Sequence, residues 1–520
     1  MTEQSISSNE KGNHVTTILS IGDKELHEND LDRAFQYLDD IEGFEMDPEL
    51  ENALEKKIDW YLLPVIGLLM SVQLFDKTIP SYSSITGLLE DIPGFSVGNT
   101  YSFVGTSFYL GLFSFQFIAD RLLVKFPISK TLGTIVIIWS VILACHAACN
   151  SVAGFLTCRV LLGMTEGAMT PAYMIITTMW YKRDSSGALS KFKVNQAFLR
   201  TCIWFGAQGF GTVLGASMAY GIYIRQDSYS LAAWRLLYII AGVITFVLGL
   251  VTMFHIPDVP VKAWFLNDTE KKYVVARSRQ NQQGFGNGKF KKHQFMEAIM
   301  DIRTYILLIY IFSYSLPNGG FQNFGSILYH QDLGFDTGTS LLMSIPGGAI
   351  DIVSPLLAIA LSFITSSSLL ISAMVNVLGI VGMCLLAFTS NPGSQLFGIY
   401  TFYLATVSIS CFYSYIGNNI AGSTKRITVH AIAIIGYCAG NASSPQTFRA
   451  KDAPSYTPAK VSMIVGFVVG TLCFLALYFL DDRENKRRDK LKENPDYIVP
   501  ENFEFADLTD KENLEFRYAL

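Results

Sequence analysis

Residues 233–255 read AWRLLYIIAGVITFVLGLVTMFH, a run in which Arg235 is the only Asp, Glu, Lys or Arg. At ~1.5 Å of rise per residue it is long enough to cross the ~30 Å hydrocarbon core of a bilayer. It is apolar all round, so a helix built from it has no side to turn to water. The next segment, residues 257–303, carries 14 charged side chains. Charges of that density are expelled from hydrocarbon, so the change in composition marks a membrane edge near Ile256.

Working outward from that edge, runs of about 20 mostly apolar residues recur near 60–83, 100–119, 131–149, 152–178 and 194–222 on one side. On the other side they recur near 304–328, 338–361, 367–389, 395–420, 427–447 and 459–480. Charge collects between and beyond them: residues 1–59, 257–303 and 481–520 hold 55 of the 83 charged residues, and the other 374 residues hold 28. That distribution excludes a soluble enzyme. It predicts an all-α polytopic membrane protein with twelve transmembrane helices in two six-helix bundles. The expected domains are an acidic N-terminal tail at 1–59, bundles at 60–256 and 304–480, a central loop at 257–303 and a C-terminal tail at 481–520. Two similar six-helix halves suit alternating access around a midplane site.

Lys and Arg set the orientation. Lys56, Lys57, Arg121, Lys125, Lys130, Lys182, Arg183, Lys425 and Arg426 fall on the same side as the central loop and both tails, whereas the opposite loops hold few beyond Arg225, Arg449, Lys451 and Lys460. Both tails are therefore expected in the cytosol. Residues 1–59 carry 16 acidic against 5 basic residues and no apolar core, so the first apolar helix, not a cleaved signal peptide, is expected to direct insertion. The net charge of −5 follows from that tail and points to neither nucleic acid nor an acidic substrate. The eight cysteines lie in apolar stretches without CxxC spacing and read as packing residues, so no metal, cofactor or catalytic group is expected. Charged runs in the tails, such as Lys486-Arg487-Arg488, read as solvated.

Ionisable residues inside the apolar runs are costly to bury and thus functional candidates. Asp76 and Lys77 close the first run; Arg159 and Glu166 lie two helical turns apart in the fourth and share a face. Arg159 and Lys77 suit an anionic substrate, and Asp76 and Glu166 suit a coupling proton. Mutual neutralisation, Asp76 with Arg159 and Lys77 with Glu166, is the plainer reading of the same four residues. Asn318, Asn323 and Asn441 are candidates for a polar substrate path or for helix-to-helix hydrogen bonds. Pro317-Asn318-Gly319-Gly320 predicts unwound backbone facing a cavity. Asp351 is an acid without an evident partner.

Several stretches carry a family likeness. Ile118-Ala119-Asp120-Arg121 with Lys125 resembles the loop motif of the major facilitator superfamily, which implies a cytosolic gate at Asp120 and Arg121. Arg159-Val-Leu-Leu-Gly-Met-Thr-Glu166-Gly167 looks like the fourth helix of anion:cation symporters. Trp234-Arg235 through Gly242, Ile256-Pro257-Asp258, Asn418-Asn419-Ile-Ala-Gly422 and Lys451-Asp452-Ala453-Pro454-Ser-Tyr456 resemble the fungal allantoate permease family. The resemblance implies proton-coupled uptake of a small organic anion: a ureide such as allantoate, a vitamin-type acid, a sulfur amino acid or a thiamine-linked carboxylate. It also implies proton-linked acids at Asp76 and Glu166, a substrate cation at Arg159 and a plasma-membrane location; the endoplasmic reticulum or another endomembrane is the alternative, and a monomer is expected. A nutrient sensor signalling through its tails and an uncoupled anion facilitator are the competing functions. The chain departs from the family at Phe75-Asp76-Lys77-Thr78-Ile79, where Lys replaces the usual Arg, and at Leu361–Ser368, an uncharged stretch where the family carries charge.

Overall fold

The structure, a computed structural model, describes residues 48–181, 196–280, 290–362, 364–365, 367–493 and 508–520, and among these it is helical without strands. The first bundle contains α1 (Pro48–Ser84), α2 (Phe103–Lys125), α3 (Ile128–Cys145), α4 (Val152–Glu166), α5 (Met169–Trp180), α6 (Gln196–Tyr223) and α7 (Ala233–His255). Two short helices, α8 (Asp268–Gln280) and α9 (Lys292–Met300), lead to the second. That bundle contains α10 (Ile302–Ile327), α11 (Thr337–Leu342), α12 (Ser344–Ser362), α13 (Ser368–Phe388), α14 (Pro392–Phe402), α15 (Thr406–Asn419), α16 (Ser423–Ser443) and α17 (Thr457–Lys492).

Among the described residues nine helical stretches are long and apolar enough to cross a bilayer by length and composition. The nine, together with α6, α10 and α16, occupy the twelve expected positions. Helices α10 and α16 are long enough, at 26 and 21 residues, but more polar: they carry Asn318, Gln322 and Asn323, and Lys425, Arg426 and Asn441. In the first bundle α1 packs on α6, α2 on α4 and α3 on α7; in the second, α10 packs on α16 and α17, and α13 on α17. The bundles meet along α6 with α12, α2 with α16 and α1 with α10.

Helix breaks fall elsewhere than the sequence predicts. The fourth span breaks at Gly167-Ala168, between α4 and α5, whereas α10 runs unbroken through Pro317-Asn318-Gly319-Gly320. The glycines there serve close packing instead of unwinding. A Cβ on Gly319 would lie 2.9 Å from the Asn441 carbonyl oxygen, and one on Gly320 would lie 2.4 Å from Met463 Cε. The neighbouring Leu316 carbonyl accepts the Ser444 hydroxyl, which pins the same turn against the end of α16.

The C-terminal segment is not solvated as its charge suggests. Asp510, Thr509 and Tyr518 are buried on the second bundle, and so is Arg488 from the basic run. Arg488 donates to the carbonyls of Asp510, Asn513 and Phe516. Asn419 exchanges two hydrogen bonds with Ala519, and the Ser368 amide donates to the Leu520 carbonyl. The chain end thus closes on the uncharged 361–368 turn. The expected N-terminal tail falls, apart from 48–59, outside the described residues.

Candidate functional site

Helices α1 and α4 bring the four intramembrane charges together. Glycine makes this possible: a Cβ on Gly163 would lie 2.0 Å from the Phe108 carbonyl, so α2 and α4 touch backbone to backbone beside the charges. Lys77 Nζ lies 3.2 Å from Glu166 Oε2, with the two side chains 11% and 0% exposed. Asp76 does not pair with Arg159 but accepts the indole N–H of Trp139. The Arg159 guanidinium lies 5.2 Å from the centre of the Phe108 ring, and Lys77 Nζ lies 5.7 Å from the same centre. One ring thus serves both cations, each through its electron-rich face.

The cluster is buried yet incompletely satisfied. Asp76 Oδ1, Glu166 Oε1 and Arg159 Nη1 are sealed from solvent without a hydrogen-bond partner, and the Arg159 Nε reaches only the Val104 carbonyl, at 3.5 Å. Buried polar groups are normally paired. The Asp76 and Glu166 carboxyl groups are neighbours in this cluster.

Between the bundles lies a cavity of about 50 Å³ lined by Thr78, Gln208, Asn318, Gln322, Asp351 and Thr406 among others. Tyr109 donates to Gln322 at 2.6 Å, and Gln322 donates to Asn318 at 2.8 Å, which carries hydrogen bonding from α2 into the cavity wall. Thr406 donates to Asp351.

Of the other sequence candidates, only Asn318 reaches the cavity. Asn323 bonds back to the Gly319 carbonyl, and Asn441 to the Tyr437 carbonyl, each with a sealed and unpaired oxygen. Both are buried in helix contacts of α10 and α16. Asn323 contributes to a closure instead: the Tyr101 hydroxyl donates to the Asn323 and Pro80 carbonyls, and the Ser326 amide donates to Ser81 Oγ. Thr106 and Gln446 add hydrogen bonds at the same end, the one away from the C-terminal segment. Arg121 is exposed, and the Asp120 side chain lies outside the described residues.

Trp139, Phe108 and Tyr109 escape sequence reasoning. An indole or phenyl ring in an apolar run gives no signal until its neighbour is known. Glu297, Asp301 and Asp510 place carboxylate oxygens within 4.8 Å of one another, as a metal site would. Lys425 Nζ already stands among them, at 2.9, 2.9 and 2.7 Å.

Comparison with known proteins agrees with this architecture. Residues 66–445 match the model of the Major Facilitator Superfamily. The chain is 40% identical to an uncharacterised transporter of Schizosaccharomyces pombe, covering 97% of this chain and 96% of that one. It is 38% identical to the allantoate permease of Saccharomyces cerevisiae, over 97% and 93% of the two chains. It is 30% identical to a thiamine pathway transporter of the same yeast, over 90% and 87%. Among solved structures, a bacterial homologue of the human lysosomal transporter Spinster, in an inward-facing and unoccupied conformation, superposes with a TM-score of 0.57. It shares 15% identity and covers 81% of this chain and 96% of that one.

Proposed function

Because the chain belongs to the Major Facilitator Superfamily, and within it to the fungal allantoate permease family, as a multi-pass transporter of small molecules and not an enzyme, we propose that it carries a small organic anion together with protons by alternating access. The observation that carries this reading is the buried set Asp76, Lys77, Arg159 and Glu166 with its orphaned oxygens.

Charge balance supplies the coupling. Two cations offset two carboxylates while the site is empty. A bound monocarboxylate adds one uncompensated negative charge in a medium where such a charge costs several kcal/mol. One proton on the Asp76–Glu166 pair restores neutrality. The same proton weakens the hold of Glu166 on Lys77, which frees the ammonium to join Arg159 on the substrate carboxylate. Arg159 offers a planar fork, and Lys77 a point charge in the position where relatives carry Arg, so the carboxylate is oriented from one side. Anion and proton therefore load together, one for one.

With the tails in the cytosol, the Tyr101, Ser81 and Thr106 contacts close the outer path. Rocking of the bundles along α6–α12 and α2–α16 then exposes the site to either side in turn. One chain holds both bundles, so a monomer in the plasma membrane suffices for uptake. Allantoate, the substrate named for one relative, is the first probe to try.

The test is accumulation of labelled allantoate in proteoliposomes under an imposed proton gradient. The expected result is accumulation abolished by a protonophore, uptake lowered on the order of 100-fold in Arg159→Gln, and flat pH dependence in Glu166→Gln. Equilibration that ignores the protonophore would make the protein an uncoupled facilitator.

A further inference from the structure

We propose that Asp351 is a second recognition pole of the transport site, one that accepts N–H groups of the substrate. The carried molecule is then a small carboxylate with N–H donors at its far end. This rests on the anion reading of Arg159 and Lys77 and adds to it the other half of the ligand.

Asp351 is 3% exposed, and the Thr406 hydroxyl is its hydrogen-bond donor. Among the described residues no cationic side chain lies within 4.0 Å of it. Elsewhere in the same bundle buried acids are matched to cations: Asp481 to Arg303 at 2.8 Å, and Asp332 to Lys460 at 2.6 Å. An acid left without one, in the wall of a cavity between the bundles, is an expense that packing does not explain.

Its position is held closely. A Cβ on Gly209 of α6 would come within 2.9 Å of Asp351 Cβ and 2.3 Å of the Gly348 carbonyl, so the carboxylate stands at the seam where the two bundles touch. Some of the polar groups around it are committed to other partners. Gln322 receives from Tyr109 and gives to Asn318, and the Thr78 hydroxyl gives to the Leu74 and Phe75 carbonyls. A carboxylate has about four acceptor positions, and Thr406 takes one. The Asp351 carboxylate therefore keeps acceptor positions open, which N–H groups of a ligand can fill.

The two poles also orient the ligand. Leu74 and Thr78 of α1, the helix that carries Lys77, line the cavity together with Asp351 of α12, so the proposed ligand sets its carboxylate end toward α1 and its other end toward Asp351. A carboxylate is attracted to the first end and repelled from the second. An amide, ureido or ammonium end has the opposite preference, and a plain dicarboxylate is refused.

The test compares ureidoacetate with 4-oxopentanoate, an isostere in which both N–H groups are replaced by carbon, as ligands of the purified full-length protein. Wild type should bind ureidoacetate on the order of 100-fold more tightly, since a site built for N–H donors rejects the analogue without them. Asp351→Asn, equal in size, should bring the two within about tenfold by weakening ureidoacetate alone, because a neutral acceptor makes the weaker bond. Asp351→Ser is the second variant if the first does not fold. No discrimination in wild type, or undiminished discrimination in Asp351→Asn, overturns the proposal. Arg159→Gln should lose both probes alike. If it retains both, or if wild type binds neither, the anion reading falls and takes this pole with it.

Discussion

Two buried charge sets, one in each bundle, are satisfied in opposite ways. In the first, Lys77 and Glu166 meet at 3.2 Å while Asp76 Oδ1, Arg159 Nη1 and Glu166 Oε1 lack hydrogen-bond partners. In the second, Lys425 is held by three acids at 2.7 to 2.9 Å, and Asp481 by Arg303 and the Tyr415 hydroxyl. The first set is under-satisfied and buried between α1 and α4; the second is saturated and lies where the C-terminal segment closes on the bundle. A buried charge with spare valences is free to change partners, and one whose valences are filled is a fastening. The same expense is thus compatible with transport at one place and with rigidity at the other.

The sharpest way to break the contrast is to remove the central cation of each set. Lys425→Met leaves Asp510 without its counter-ion and Asp301 with Lys511 at 3.2 Å, and should destabilise the purified protein by about 3–5 kcal/mol. Loss of the ammonium also unties the segment around Asp510, so limited proteolysis should release the chain end first. A variant with wild-type unfolding and protection would show that the saturated set is not a fastening.

The corresponding change in the first bundle should leave the fold nearly alone. In Lys77→Met combined with Glu166→Gln the pair disappears as a unit, and replacing a buried pair by neutral groups is often neutral for stability. Unfolding within about 1 kcal/mol of wild type is expected, with proton-driven uptake lost. A large drop in stability would place these charges with the fastenings and remove the distinction between the bundles.

The two sets were not equally legible. Arg159 and Glu166 declare themselves because they interrupt an apolar run with a spacing of two turns, and the helix geometry that unites them is local. Lys425, Asp301 and Asp510 look in sequence like solvated charge at a membrane edge. Their partnership spans 85 and 124 residues, and composition does not distinguish a charge in water from a charge already matched. The Pro317–Gly320 turn misleads for a related reason. Proline and glycine weaken a helix in isolation, but Asn441, Ser444 and Met463, which hold α10 straight, come from other helices. Asp351 was visible as an oddity, and only the cavity gives it neighbours.

Acid should probe the fastening more gently than mutation. Burial pushes the Asp301 carboxyl up, but the Lys425 ammonium, Lys511 and the Arg303 amide together outweigh it and hold the group below its ordinary value of 3.8. For Lys425 burial acts downward, and Asp510 and Asp301 more than reverse it, raising the ammonium above 10.5. A carboxylate with a depressed folded value adds stability above its unfolded value and loses it as pH falls through the folded one. A raised ammonium adds stability below its unfolded value and loses it as pH rises through the folded one. The contribution of the pair is therefore level from about pH 4 to about pH 10 and fails only outside that window. The stability gap between wild type and Asp301→Asn should stay constant across the range over which uptake is measured and narrow only below pH 3.8. A gap that already narrows between pH 7 and pH 5 would mean that the fastening itself responds to the protons proposed to drive transport.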